Sequence, residues 1–126
     1  MTGTPKVLVT GASGLIGQRV IKDLGERFSF SGLSRRAVDG IPHTQADITD
    51  LDAVRNACRG MDVVLHLAAE TIEYDDWDRV MDVTIGGTLN LYRAAQEAGV
   101  KRVVFASAGS TMIGYEWYPG SPYAAL

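Results

Sequence analysis

The chain has 126 residues, 46% of them apolar, which suits one compact domain with a core of ordinary size. Twelve basic against fifteen acidic side chains leave a formal net charge of −3, which excludes a general electrostatic footprint for nucleic acid or an anionic membrane. A single cysteine cannot form an internal disulfide, and there is neither an apolar run near ~18 residues nor a signal-peptide pattern, so a cytoplasmic protein is expected.

Lys6-Val-Leu-Val-Thr10 is a β-branched run ending at a glycine cluster and predicts a buried strand. From Ser13 or Gly14 to Leu24 the apolar residues Leu15, Ile16, Val20, Ile21 and Leu24 share one helical face, with Gly25 placed to end the helix. Phe28 to Leu33 reads as a second strand, Arg35 to Pro42 as a loop and His43 to Ala46 as a short third strand. Thr49 or Asp50 is placed to cap a helix over Leu51 to Arg59, which Gly60 closes. Cys58, with no ligand set nearby, reads as a small core residue, and no metal site is expected. Met61 to Leu67 is a fourth strand candidate. Asp76 to Ala98 is a long helix carrying Val80, Thr84, Thr88, Leu91 and Ala95 on one face, ended by Gly99, and Arg102 to Ser107 is a fifth strand. Gly86-Gly87 costs that helix about 1 kcal/mol per glycine relative to alanine, so a close contact is expected there.

Alternating strands and helices predict a doubly wound α/β domain of Rossmann type, a parallel sheet of about five strands with helices on both faces. The expected organisation is a dinucleotide-binding domain over 1–108 and a turn-rich tail over 109–126. Ligands belong at the carboxyl ends of the strands, after Thr10, Leu33, Ala46, Leu67 and Ser107. Thr10-Gly-Ala-Ser-Gly-Leu-Ile-Gly17 has the spacing G-x-x-G-x-x-G. Gly11 suits the tight turn, Gly14 a backbone approach to pyrophosphate, and Gly17 close helix packing. Backbone N–H groups from Ser13 through Leu15 to Ile16 then face phosphate oxygens, aided by the helix dipole.

The segments Val7 to Gly17, Ala46-Asp-Ile48, His66-Leu-Ala-Ala69, Gly87-Thr-Leu-Asn-Leu91 and Arg102-Val-Val-Phe-Ala-Ser107 resemble, in this order and spacing, the extended short-chain dehydrogenase/reductase family. That family includes NAD-dependent sugar epimerases, dehydratases and dehydrogenases, and the resemblance covers nearly the whole chain. It implies that Asp47 accepts from the adenine amino group with Ile48 against the ring, although Asp47 also suits a helix-entry cap. It implies too that Leu67, Ala68 and Ala69 line the path to the nicotinamide. Ser34 stands where NAD-binding members usually carry aspartate, and Arg35 and Arg36 follow. This favours NADP, since arginine pairs with a 2′-phosphate, unless the two arginines are only a solvated loop pair. Thr84 departs from the family's usual asparagine, which weakens any specific role for it.

The resemblance further implies a Ser or Thr, Tyr and Lys catalytic set, with Tyr-x-x-x-Lys placing two side chains on one helical face. No tyrosine here has lysine four residues later. The serine position falls on Ala108, leaving Ser107, Ser110 and Thr111 as substitutes or as plain turn hydroxyls. The expectation is therefore the NAD(P)-binding part of an enzyme acting on a hydroxyl of a sugar or sugar nucleotide, with the 126-residue chain itself inert. A non-catalytic NADP sensor or protein-interaction module, or a nonfunctional remnant, are the alternatives. A homodimer through the Asp76 to Ala98 segment is implied by the family alone.

Overall fold

The computed structural model describes residues 3–70 and 76–109, with 117, 119, 120 and 122. Five strands alternate with helices. They are β1 (Lys6–Thr10), β2 (Ser29–Ser34), β3 (His43–Gln45), β4 (Val63–His66) and β5 (Arg102–Phe105). All neighbouring pairs are parallel, in the order β3-β2-β1-β4-β5. The direction of winding reverses between β1 and β4, and such a switch point opens a crevice at the carboxyl edge of the sheet. The predicted α/β architecture of Rossmann type is thus the observed one.

The two faces of the sheet explain the near-continuous apolar runs. On one face α1 (Leu15–Leu24) brings Val20, Ile21 and Leu24 onto Val7, Val9 and Phe30. On the other, Leu8, Leu33 and Val64 pack with Val54, Ala57 and Cys58 of α2 (Leu51–Cys58) and with Leu91 and Ala94 of α4 (Gly87–Glu97). Cys58 is fully buried, and burial pushes its thiol up to about 11, so it packs as an inert apolar side chain.

Asp50 supplies the cap of α2, its carboxylate accepting from Ala53 N at 3.0 Å. Gly99, at φ 72°, closes α4, with Val100 N donating to Ala95 O and Gly99 N to Gln96 O. Gly25 ends α1 as expected, but without a left-handed turn: it stays right-handed at φ −60°, and the chain leaves through a further turn in which Phe28 N reaches Leu24 O. The strands are also trimmed. β3 stops at Gln45, β4 spans four residues, and β5 stops at Phe105, because past each end the loops peel away from their neighbours after one last bond, such as Ala106 N to His66 O at 3.1 Å.

The largest departure lies in the long helix. It is helical from α3 (Trp77–Val80) to the end of α4, but Met81–Gly86 winds as a π-helix, with Gly87 N donating to Asp82 O five residues back. Two observations account for the wide turn: the Thr88 hydroxyl draws on Thr84 O at 2.5 Å, and the Gly86-Gly87 pair offers little resistance to rewinding. Periodicity cannot register one added residue in a turn.

Gly87 makes the close contact its presence demanded. A Cβ built there would overlap Ile48 Cγ2, whereas at Gly86 the nearest atom, Met81 O, is 3.5 Å away. Gly86→Ala is therefore expected to be neutral or stabilising by up to ~1 kcal/mol. Gly87→Ala is expected to cost ~1–3 kcal/mol through overpacking. Urea denaturation midpoints check the pair, and equal stabilities would refute the packing account.

Candidate functional site

At the carboxyl edge of the sheet the loops after β1, β2, β3 and β4 meet around one cavity of about 270 Å³. Gly11, Ser13 and Gly14 form its wall on the β1 side. Leu33, Ser34, Arg35 and Arg36 come from the β2 loop, Ala46, Asp47 and Ile48 from the β3 loop, and Leu67, Ala68 and Ala69 from the β4 loop. Val83, on the π-helical turn, completes the lining. Eleven of the residues singled out in the sequence are here. Leu33, Ala46 and Val83 were not singled out, although the first two adjoin named positions.

The glycine turn is shaped by close approach as well as by dihedral. Gly11 sits at φ 70°, and a Cβ on it would lie 2.9 Å from Ala68 N and 3.0 Å from Leu67 C. No other residue fits that position without moving the β4 loop. At Gly14, the residue before α1, no side chain caps the helix, so its first turn presents backbone N–H groups at the cavity's edge. Leu15, Ile16 and Gly17 do not line the cavity: Leu15 and Ile16 are 90% and 62% exposed, because the chain turns away along α1 from this point. Gly17 is buried against the turn itself, where a Cβ would come within 2.7 Å of Gly11 O.

Beneath the turn a buried hydrogen-bond chain fixes the floor. Thr88 Oγ1 donates to Thr84 O, so it accepts from His66 Nε2 at 2.9 Å. The imidazole therefore carries its proton on Nε2, and Nδ1 accepts from Thr10 Oγ1 at 2.7 Å. Thr10 Oγ1 in turn accepts from Leu67 N and Ala68 N at 3.3 and 3.2 Å. Each ring nitrogen has a single role, while both threonine hydroxyls donate and accept. His66 is 1% exposed, and burial lowers its pKa to about 4, in keeping with the neutral ring. In the sequence His66 stands only as part of a motif, since a lone His in an apolar run gives no sign of its partners.

Thr84 has a definite role that its departure from the family pattern concealed: its Oγ1 accepts from Glu70 N at 3.0 Å and ties the β4 loop to the π-helical turn. Asn90 reaches the β3 loop, donating to Ile48 O and Thr49 O.

The charged groups form one network across the mouth. Arg79 donates from Nη2 to Asp47 Oδ2 and from Nε to Glu70 Oε2, both at 3.1 Å, while Arg35 Nη1 lies 3.9 Å from Glu70 Oε2. Asp47 also accepts from Thr49 N and Thr49 Oγ1, which makes it a loop anchor, not the cap of α2. Burial opposes ionisation of Asp47, but the Thr49 backbone N–H, the Arg79 guanidinium and the Thr49 hydroxyl outweigh it and hold its carboxyl below the ordinary range. Ser34 Oγ donates to Arg36 O at 2.8 Å and pairs with His43 Nε2 at 2.9 Å.

Ser107 is exposed beyond β5, while Ser110 and Thr111 lie outside the described residues. Among the described residues no cluster of His, Cys, Asp and Glu is placed to hold a metal ion, and no helix is long and apolar enough to cross a membrane.

The family model of NAD-dependent epimerases and dehydratases matches residues 7–125. The chain belongs to this family. It is 38% identical over 102 residues to an L-arabinose 1-dehydrogenase (NAD(P)(+)) of Haloferax volcanii, covering 81% of this chain and 40% of that protein. It is 34% identical over 125 residues to the NAD-dependent glucose-6-phosphate dehydrogenase of the same organism, covering 92% and 48%. Among solved structures, a short-chain dehydrogenase/reductase superfamily protein from Agrobacterium tumefaciens with bound NAD superposes with TM-score 0.81 at 34% identity, covering 87% of this chain and 34% of that one. The UDP-glucose 4-epimerase of Thermus thermophilus in complex with NAD gives 0.75 at 31%, covering 82% and 38%. The chain thus spans less than half the length of these relatives.

The lowered pKa of His66 makes stability depend on pH. Between about 6.5 and 4 the unfolded chain binds the proton and the folded chain does not, so the stabilisation present above pH 6.5 is lost as pH falls towards 4. The expected slope is at most ~1.4 kcal/mol per pH unit. His43, also held low by burial, adds in the same direction. His66→Asn is expected to flatten most of this slope in denaturant titrations at pH 4, 5, 6 and 7, and an unchanged slope would assign it elsewhere.

Proposed function

We propose that this chain is the NAD(P)-binding part of a dehydrogenase or epimerase that acts on a hydroxyl carbon of a sugar or sugar nucleotide. The observation that carries the reading is the Gly11 turn, where a Cβ would lie only 2.9 Å from Ala68 N of the β4 loop, at the head of an uncapped helix and a polar-lined cavity. A cradle without side chains, opening onto helix N–H groups, suits a pyrophosphate. Ser13 and Gly14, with the backbone N–H groups of Leu15 and Ile16 that open α1 at the cavity's edge, would hold the phosphates. Leu33 to Arg36 would face the adenosine ribose, Asp47 and Ile48 the adenine, and Leu67 to Ala69 the passage towards the nicotinamide. Bound there, a nicotinamide dinucleotide supplies hydride transfer, and the protein's share is to orient it and exclude water.

NADP is favoured over NAD in this reading. The Ser34 hydroxyl is already engaged by Arg36 O and His43, and no acidic side chain from the β2 loop lines the cavity to receive a ribose 2′-hydroxyl, whereas Arg35 and Arg36 do line it. Sugar-like substrates are suggested by relatives named for arabinose, glucose 6-phosphate and UDP-glucose. No Tyr-x-x-x-Lys pair occurs in the sequence, so the chain alone is expected to bind without turning over. Ser107, Ser110 and Thr111 stand as substitute hydroxyls only if a parent enzyme completes the set.

A homodimer is also part of this reading. Trp77, Met81, Ile85, Leu89 and Tyr92 recur every three or four residues along the long helix, each between 40% and 68% exposed. Leu89→Glu is expected to convert a dimer into a monomer in light scattering, and a parent already monomeric at micromolar concentration would end the proposal.

Isothermal titration with NADP and NAD tests the main reading. Binding of at least one dinucleotide is expected, weakened at least ~10-fold by Gly14→Val, whose side chain would fill the cradle. Absence of binding by both would overturn the reading, and dehydrogenase turnover by the purified chain would overturn its inertness.

A further inference from the structure

Resting on that reading, we propose that Glu70 sets the choice between NADP and NAD by competing with the 2′-phosphate for Arg35. Glu70 is anchored at both ends. Its backbone N–H donates to Thr84 Oγ1 at 3.0 Å, and its carboxylate accepts from Arg79 Nε at 3.1 Å, with the side chain only 20% exposed. The carboxylate is thereby fixed beside the β2 loop, 3.9 Å from Arg35 Nη1.

The two arginines that meet it are in different positions. Arg79 is held by two carboxylates, Asp47 and Glu70, and so bridges the loop after β3 to the loop after β4. In the sheet order those loops flank the loops after β2 and β1, so the bridge spans the adenosine side of the cavity. Arg35 lines the cavity itself, is 62% exposed, and among the described residues pairs within 4.0 Å only with Glu70. Its carbonyl accepts from Gln45 Nε2 at 3.0 Å, which holds the β2 loop against β3.

A 2′-phosphate carries roughly 1.5–2 negative charges and binds arginine through paired hydrogen bonds. To take Arg35 it must draw the guanidinium from Glu70 and sit close to that carboxylate's charge. NAD presents a neutral hydroxyl at the same place and meets neither opposition. Arg35 favours NADP, and Glu70 limits by how much.

The test is calorimetric titration of the intact chain with NADP and with NAD, for the parent, Glu70→Gln, Arg35→Ala and the double variant. Glu70→Gln is expected to raise the NADP to NAD affinity ratio roughly two- to fivefold, the range that exposed ion pairs reach. Arg35→Ala should lower the ratio and, in the double variant, cancel the gain. An unchanged or lowered ratio in Glu70→Gln, or a gain that survives Arg35→Ala, would overturn the proposal while leaving the dinucleotide site intact. If the parent binds neither dinucleotide, the site itself is refuted and Glu70's role with it. Should Glu70→Gln fail to fold, Arg79→Met tests the same competition in reverse: Glu70 then has Arg35 alone, the ratio should fall, and a rise would overturn the proposal.

Discussion

The parting of β1 from β4 is held by one hydroxyl. Thr10 Oγ1 receives Leu67 N and Ala68 N from the departing β4 loop and gives its own proton to buried His66. This sets the β4 backbone against Gly11, and the glycine follows from the clamp as much as from the turn's positive φ. Through His66 the same chain reaches Thr88 and Thr84, so one polar thread joins the first strand, the fourth strand and the π-helical turn. A buried polar thread is costly unless each member is satisfied, and no buried side-chain N or O among the described residues lacks a partner.

The π-helical turn follows from that thread and from Gly87. Ile48 fills the space where a side chain on residue 87 would be, and Asn90 holds the backbone around Ile48. The added residue in the turn lets Val83 line the cavity and Thr84 bind Glu70 from the same stretch of helix. A regular α-helix places side chains 100° apart and serves a narrower face. Wide turns of this kind recur where a helix borders a functional site.

Charge in the site is arranged for balance. Asp47, Glu70, Arg35 and Arg79 form a connected set in which each carboxylate meets at least one guanidinium. Exposed pairs contribute little stability, so the value of such a set lies in where it places charge relative to a ligand. The apolar helix stripe and β5, whose Val104 and Phe105 are nearly half exposed, stand apart from this set.

The sequence by itself determined the sheet class, the helix boundaries near Asp50 and Gly99, and the loops that carry the cavity. Those features depend on local signals: β-branched runs, capping residues, and glycines at fixed offsets. Only the tertiary structure decided that Glu70 and Arg79 join Asp47 and Arg35 in one charged network, that Thr84 anchors the β4 loop, and that Leu15 and Ile16 face solvent. The physical reason is distance along the chain. The Arg79–Asp47 pair closes across 32 residues and the His66–Thr10 bond across 56, and no periodicity or composition encodes which polar groups meet once the strands are in register.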